Sequence, residues 1–223
     1  VVKNILKIGR NTPWFVHDVK ESEVSRAPKA PFITSTLQQA ASSRFGFAPS
    51  RTMGIAQKLY ERGLITYMRT DSTTLSKDAL STIYGEITKR YGNEVVSPRT
   101  FTTKSKNAQE AHEAIRPTNI SKHSMGVNPE EKKLYELIWA RTIASQMVDA
   151  KLARTTILAN VKEGTIPNFS VTGSRVIVSG WLAADPNARG EDVELPKVAV
   201  DEMLTLLEIS DQAKFTEPPG RYS

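Results

Sequence analysis

The segment Gly63-Leu64-Ile65-Thr66-Tyr67-Met68-Arg69-Thr70-Asp71-Ser72 gathers three side chains that could carry chemistry. In an extended chain successive side chains alternate, so Tyr67, Arg69 and Asp71 share one face. A phenol with a pKa of about 10 is a poor nucleophile unless its anion is stabilised or its proton removed. An arginine one pleat repeat away can hold a target phosphate in its fork of N–H donors and offset charge that develops in the transition state. Asp71 can orient that arginine or cap the next helix. The same residues fit a second role. A tyrosine in an apolar strand is usually a core residue with its hydroxyl hydrogen-bonded, and Arg-Thr-Asp-Ser is an ordinary way to begin a helix. Taken by themselves, the residues leave both roles open.

The rest of the chain narrows the partner. Among 223 residues, 39% are hydrophobic and 24% charged, the balance of a globular protein. No apolar run approaches the roughly 20 residues of a membrane helix. The absence of cysteine excludes disulfides and thiolate metal sites. The three histidines, His17, His112 and His123, have no metal-ligand spacing. A net charge of +6 and a pI of about 9.5 suit a polyanionic partner. The start, Val1-Val2-Lys3-Asn4, has neither an initiator Met nor a signal-peptide pattern, which leads us to expect a piece of a longer protein.

The elements that must position the tyrosine read as follows. Residues 1–9 form the tail of a helix ending at Gly9, and residues 14–24 alternate as a strand. Pro28 and Pro31 then break regular structure and mark a domain boundary. Ser35 caps a helix carrying Gln38 at its third position, with Leu37, Ala40, Ala41 and Phe45 inward and Gly46 as the stop. Ser50 caps a second helix with Met53, Ala56, Leu59 and Tyr60 inward, ending at Gly63. The pair reads as a helix-turn-helix, and Leu64–Arg69 stands where a winged variant has its first wing strand. Further helices cover residues 77–91 and the stretch from Asn128, a cap followed by Pro129, Glu130 and Glu131. Beyond residue 150 the pattern turns to alternation (Thr155–Val161, Val176–Val178, Leu204–Ile209), an antiparallel β segment that pairs with the N-terminal strand. The fold class is therefore α+β: a helical domain, residues 28–147, with a winged helix-turn-helix of the CAP-like kind. It is inserted in an antiparallel β arch domain formed by residues 1–27 and 148–223.

Three segments in order resemble the type IA DNA topoisomerases. The stretch 64–72 (LITYMRTDS) looks like that family's active-site signature. Residues 30–41 (APFITSTLQQAA) resemble the opening of its helical domain, and residues 109–117 (QEAHEAIRP) lie downstream as in the family. The helix sequence 133–147 is also similar, and Met68 resembles the bacterial topoisomerase I branch rather than the topoisomerase III branch. The resemblance implies a two-step transesterification on single-stranded DNA, with Tyr67 forming a 5′-phosphotyrosyl link and no ATP consumed. It implies relaxation of negative supercoils by a cytoplasmic enzyme of the bacterial nucleoid, acting as a monomer on supercoiled DNA. Arg69 would contact the scissile phosphate as the second catalytic residue. His112, Arg116 and Asp71 would line the DNA-binding face. Without the resemblance, His112 reads as a solvated loop histidine and Arg116 as a helix-terminal arginine.

The family also implies Mg²⁺, held by an acidic TOPRIM domain that supplies the general acid for the leaving 3′-oxygen. No Asp-x-Asp cluster occurs here, and the closest acidic pair, Glu130-Glu131, is explained by helix capping. The expectation is a chain with the tyrosine domain and part of the arch, without TOPRIM or C-terminal domains, binding no metal and unable to relax DNA alone. Two other readings use the same features: a non-catalytic winged-helix DNA-binding module in which Tyr67 is a core or base-stacking residue, and a purely structural hinge.

Overall fold

A computed structural model describes residues 1–101, 113–162, 164–188 and 193–215. The fold is mixed α/β with an antiparallel sheet. Helices α1 (Val2–Asn11), α2 (Thr34–Phe45), α3 (Pro49–Glu61), α4 (Lys77–Tyr91) and α5 (Pro129–Ala144) accompany strands β1 (Trp14–Arg26), β2 (Ala150–Val161), β3 (Phe169–Val178) and β4 (Met203–Leu204). The sheet order is β3-β2-β1-β4, and β1 runs antiparallel to β4 with Trp14 opposite Leu204. The chain forms two compact units. One comprises Val1–Glu23, Ala153–Arg175 and Asp192–Ser223, the other Val24–Leu152 and Val176–Glu191.

The first unit has a small apolar centre of Trp14, Val161 and Ile166, flanked by Ile5, Ile8, Leu204 and Ile209. Gly9 lets the chain pack closely there: a Cβ would lie 2.9 Å from Ile209 Cδ1 and 3.0 Å from the Trp14 ring, and both side chains would have to shift. The Trp14 indole N–H donates to the Gly9 carbonyl at 2.7 Å, so the glycine seats both the ring and its hydrogen bond. The expected strand over Leu204–Ile209 shrinks to two residues. The chain is drawn instead to α1, where Ile209 packs at Gly9 and Arg10 donates to the Ile209 carbonyl.

The second unit is built around α5. Ten of that helix's residues are buried, Leu134, Tyr135, Ile138, Trp139 and Ile143 among them. A helix buried on nearly all sides must be enclosed by others, and α2, α3 and α4 pack against it. Each fully buried aliphatic side chain contributes about 1.5–3 kcal/mol, so α5 is the main stabilising element. Its start follows the expected capping: Asn128 Oδ1 accepts the Glu131 N–H at 2.9 Å, and Pro129 occupies the first position. Helix α4 matches its expected range, with Ser76 as cap.

Two helix starts differ from expectation. Helix α2 begins at Thr34 with Ile33 at the cap position, and the Ile33 N–H donates to Thr36 Oγ1 at 3.0 Å in place of the Ser35–Gln38 arrangement. Helix α3 begins at Pro49, not after Ser50, because proline at the first position needs no N–H partner. Gly46 is left-handed, with φ 68°, and ends α2 as anticipated. The expected wing strand over Leu64–Arg69 does not form. It reduces to one bridge between Ile65 and Pro117, because the Leu64 N–H is spent on the Leu59 carbonyl and the Arg116 N–H on Thr66 Oγ1.

Candidate active site

The segment that bears Tyr67 leaves α3 through a left-handed turn at Gly63, with φ 67°. The Gly63 N–H donates to the Tyr60 carbonyl at 2.7 Å and the Leu64 N–H to the Leu59 carbonyl at 2.9 Å, which satisfies the last turn of the helix. Arg62 pairs there with Glu131 of α5. Glu131 is 1% exposed. Its carboxyl is held below the ordinary range first by the Val127 N–H it accepts and then by the Arg62 guanidinium, against the opposing effect of burial.

Residues 64–66 next pair with residues 114–118. The Thr66 N–H donates to the Arg116 carbonyl at 2.9 Å, and the Thr118 N–H donates to the Leu64 carbonyl at 3.0 Å. Thr66 Oγ1 donates to the Ala114 carbonyl at 2.7 Å and accepts the Arg116 N–H at 2.9 Å. The Ile115 N–H reaches the Phe32 carbonyl at 2.8 Å, which ties this pair to the chain just before α2. Beyond Tyr67, Thr34 at the start of α2 takes over. Its N–H donates to the Thr70 carbonyl at 3.0 Å, and its hydroxyl bonds both Met68 and Thr70.

These fixings produce the alternation anticipated from the sequence, although no strand ladder runs through it. Met68, Thr70 and Ser72 are buried, whereas Tyr67, Arg69 and Asp71 are exposed. Tyr67 keeps 45% of its surface in solvent. Its ring meets that of Tyr60 edge-on, with centroids 5.2 Å apart. The sequence placed Tyr60 inward with Leu59. Adjacent helical positions point about 100° apart, and Leu59 takes the core, leaving Tyr60 40% exposed. No described residue gives the Tyr67 hydroxyl, the Arg69 guanidinium or the Asp71 carboxylate a hydrogen bond or ion pair. This face thus offers a phenol, a cation and a carboxylate, with backbones locked from beneath.

Arg116 is differently placed. Its guanidinium donates to both oxygens of Glu113, at 3.3 and 2.7 Å, and to the Pro117 carbonyl at 3.0 Å. Burial alone would raise the Glu113 carboxyl, yet hydrogen bonds from Arg116 and Ser76 bring it below its ordinary value. His112 lies outside the described residues. Sequence reasoning missed the two threonines beneath the loop, Thr34 and Thr66. Thr34 opens a helix and Thr66 stands in a short β-prone run, both common places for a threonine, so nothing in the pattern marks them as special.

Fold and loop together define a mixed α/β protein with an exposed tyrosine two residues from an exposed arginine, neither side chain hydrogen-bonded or ion-paired among the described residues. The chain belongs to the DNA topoisomerase family, whose sequence model matches residues 1–223, and within it to the bacterial type IA topoisomerase I branch. It is 45% identical over 228 residues to DNA topoisomerase 1 of Streptomyces coelicolor, covering 96% of this chain and 24% of that protein. It is 46% identical over 231 residues to DNA topoisomerase 1 of Xylella fastidiosa, covering 93% of this chain and 28% of that protein. Full-length topoisomerase I of Thermotoga maritima superposes with a TM-score of 0.74 at 34% identity, over 91% of this chain and 34% of that one. The chain thus spans about a quarter of the length of these curated relatives.

Proposed function

We propose that this chain carries the nucleophile of a DNA topoisomerase that cleaves and rejoins single-stranded DNA. Tyr67 Oη attacks a backbone phosphorus, the bond to the 3′-oxygen breaks, and a 5′-phosphotyrosyl ester forms. The released 3′-hydroxyl later attacks that ester, restoring both the phosphodiester and the phenol, and no ATP is consumed. Strand passage between the two steps relaxes negative supercoils. The observation that carries this reading is the exposed face of Tyr67, Arg69 and Asp71, whose polar groups have no partner among the described residues. A guanidinium with no internal partner is available to a phosphate, and charge stabilisation aimed at the transition state is worth orders of magnitude in rate.

Within this reading Arg69 holds the scissile phosphate, Asp71 orients the approaching strand, and His112, outside the described residues, contributes to DNA binding. Arg116, matched to Glu113 within the chain, acts on DNA through the segment it braces rather than by touching a phosphate. The α2–α3 pair serves as a helix-turn-helix, with residues 64–72 in the place of a wing. The β-rich segments serve as part of an arch that hinges the tyrosine domain. The family's Mg²⁺ finds no fit here, because no three metal-ligating side chains converge among the described residues and Glu86, Glu113, Glu131, Asp149 and Asp185 are each paired with an arginine. We assign the metal and the general acid to a TOPRIM domain elsewhere in the full-length enzyme. The chain by itself binds single strands weakly and does not relax supercoils.

The test is covalent capture. A full-length enzyme carrying this chain, incubated with a 3′-labelled single strand and Mg²⁺ and then denatured, should retain label on the protein. Tyr67→Phe should abolish that adduct. Retention of the adduct would refute the assignment. A second reading is favoured by the exposed Tyr60–Tyr67 pair, which suits base stacking in a binding module without chemistry. It predicts DNA binding with no adduct from either protein.

A further inference from the structure

The Arg69 side chain has no hydrogen-bond or ion-pair partner among the described residues, and what fixes its position there acts through its backbone. Two peptide groups flank Arg69: one carries the Met68 carbonyl, the other the Thr70 N–H. Thr34 Oγ1 donates to the Met68 carbonyl at 2.8 Å and accepts the Thr70 N–H at 3.0 Å. One hydroxyl therefore bridges both peptides and closes a ring around the Arg69 Cα. The Thr34 N–H adds a third link, to the Thr70 carbonyl at 3.0 Å. Thr34 itself is the first residue of α2, a helix that packs on α3 and α5. Met68 is 1% and Thr70 7% exposed, so water does not readily replace these bonds.

We infer that Thr34 is a positioning residue for the cleavage reaction: its hydroxyl sets the backbone of Arg69 and so points the guanidinium at the phosphate that Tyr67 attacks. Hydroxyl chemistry decides the role. Serine retains one donor and two acceptor lone pairs, whereas valine matches threonine in shape and offers neither. This inference rests on the proposed role of the Tyr67–Arg69 pair. Misplacing a catalytic group by about 1 Å can cost about 100-fold in rate, so loss of the bridge should register in chemistry.

The experiment measures single-turnover adduct formation and single-strand affinity in the full-length enzyme with Mg²⁺. Thr34→Val should slow adduct formation about 10- to 100-fold while affinity changes less than about threefold. Thr34→Ser should stay within about threefold of the parent. In an Arg69→Ala background, Thr34→Val should cause little further loss, because the two act as one unit. Hydrogen exchange at the Thr70 amide should accelerate in Thr34→Val and not in Thr34→Ser. A Thr34→Val enzyme that cleaves at the parental rate overturns the inference, as does an equal loss with and without Arg69. A Thr34→Ser enzyme as impaired as Thr34→Val also overturns it. If Tyr67→Phe still forms the adduct, the proposed function fails first; if only Thr34→Val is silent, the positioning role alone fails.

Discussion

Two short segments with family motif residues meet through Thr66, next to Tyr67, and they treat charge in opposite ways. In residues 67–71 the backbone is fixed from below while Tyr67, Arg69 and Asp71 stand exposed without partners among the described residues. In residues 113–118 the charges are matched internally, with Arg116 on Glu113 and Glu113 also on the Ser76 N–H at 2.6 Å. The same residue type, arginine, is left available in one segment and consumed as a brace in the other. A guanidinium already donating to a carboxylate must break that pair before it can serve a phosphate. An unpaired one loses only its hydration. Under the proposed function the first segment acts on DNA and the second holds the first in place.

Arg69→Ala should have the largest effect, lowering cleavage about 10²- to 10³-fold in single-turnover capture while single-strand affinity falls far less. Equal losses in rate and affinity would make Arg69 a holding residue and blur the contrast. Glu131→Ala, on the bracing side, should destabilise the fold by about 2–3 kcal/mol in urea titration, since it strips the Val127 N–H and Arg62 of a buried acceptor.

The same contacts set a pH dependence. Glu131 and Glu113 both have lowered folded-state pKa values, so they bind protons less readily when folded than when unfolded. Their stabilisation is present above the ordinary glutamate range of about 4–5 and is lost as the pH falls through it toward the lowered values. Urea midpoints recorded on acidification should fall more steeply in the parent than in Glu131→Ala.

Arg116→Ala should leave the salt slope of single-strand binding unchanged. A direct phosphate contact would instead reduce that slope by about 0.7. The smallest effect belongs to Gly46→Ala. Its left-handed φ of 68° costs an alanine about 1 kcal/mol although nothing crowds the site, and calorimetry should show the loss without any change in cleavage.

Much of this was legible in the residues. Asn128-Pro129-Glu130-Glu131 specified its helix start because capping is local chemistry that needs no tertiary partner. The alternation over residues 67–72 was legible for a related reason: extended backbone of any kind puts neighbours on opposite sides. What holds that backbone extended was hidden. The sequence suggested a sheet ladder, yet the bonds go to Thr34 and to the 114–118 segment, partners 36 and 50 residues away. Helices α2 and α3 shifted their starts because Thr36 and Pro49 solved the capping problem before Ser35 and Ser50 could. Tyr60 looked like core by spacing, and only the packing of Leu59 showed which of two adjacent residues faces inward.

Covalent attachment of DNA to Tyr67 can be read by peptide mass spectrometry of the captured complex. After nuclease and trypsin digestion, a residual 5′-phosphonucleotide should remain on the peptide spanning residues 63–69, attached at Tyr67. A nucleotide found on another residue, or on none in a cleavage-competent enzyme, would contradict the assignment of Tyr67.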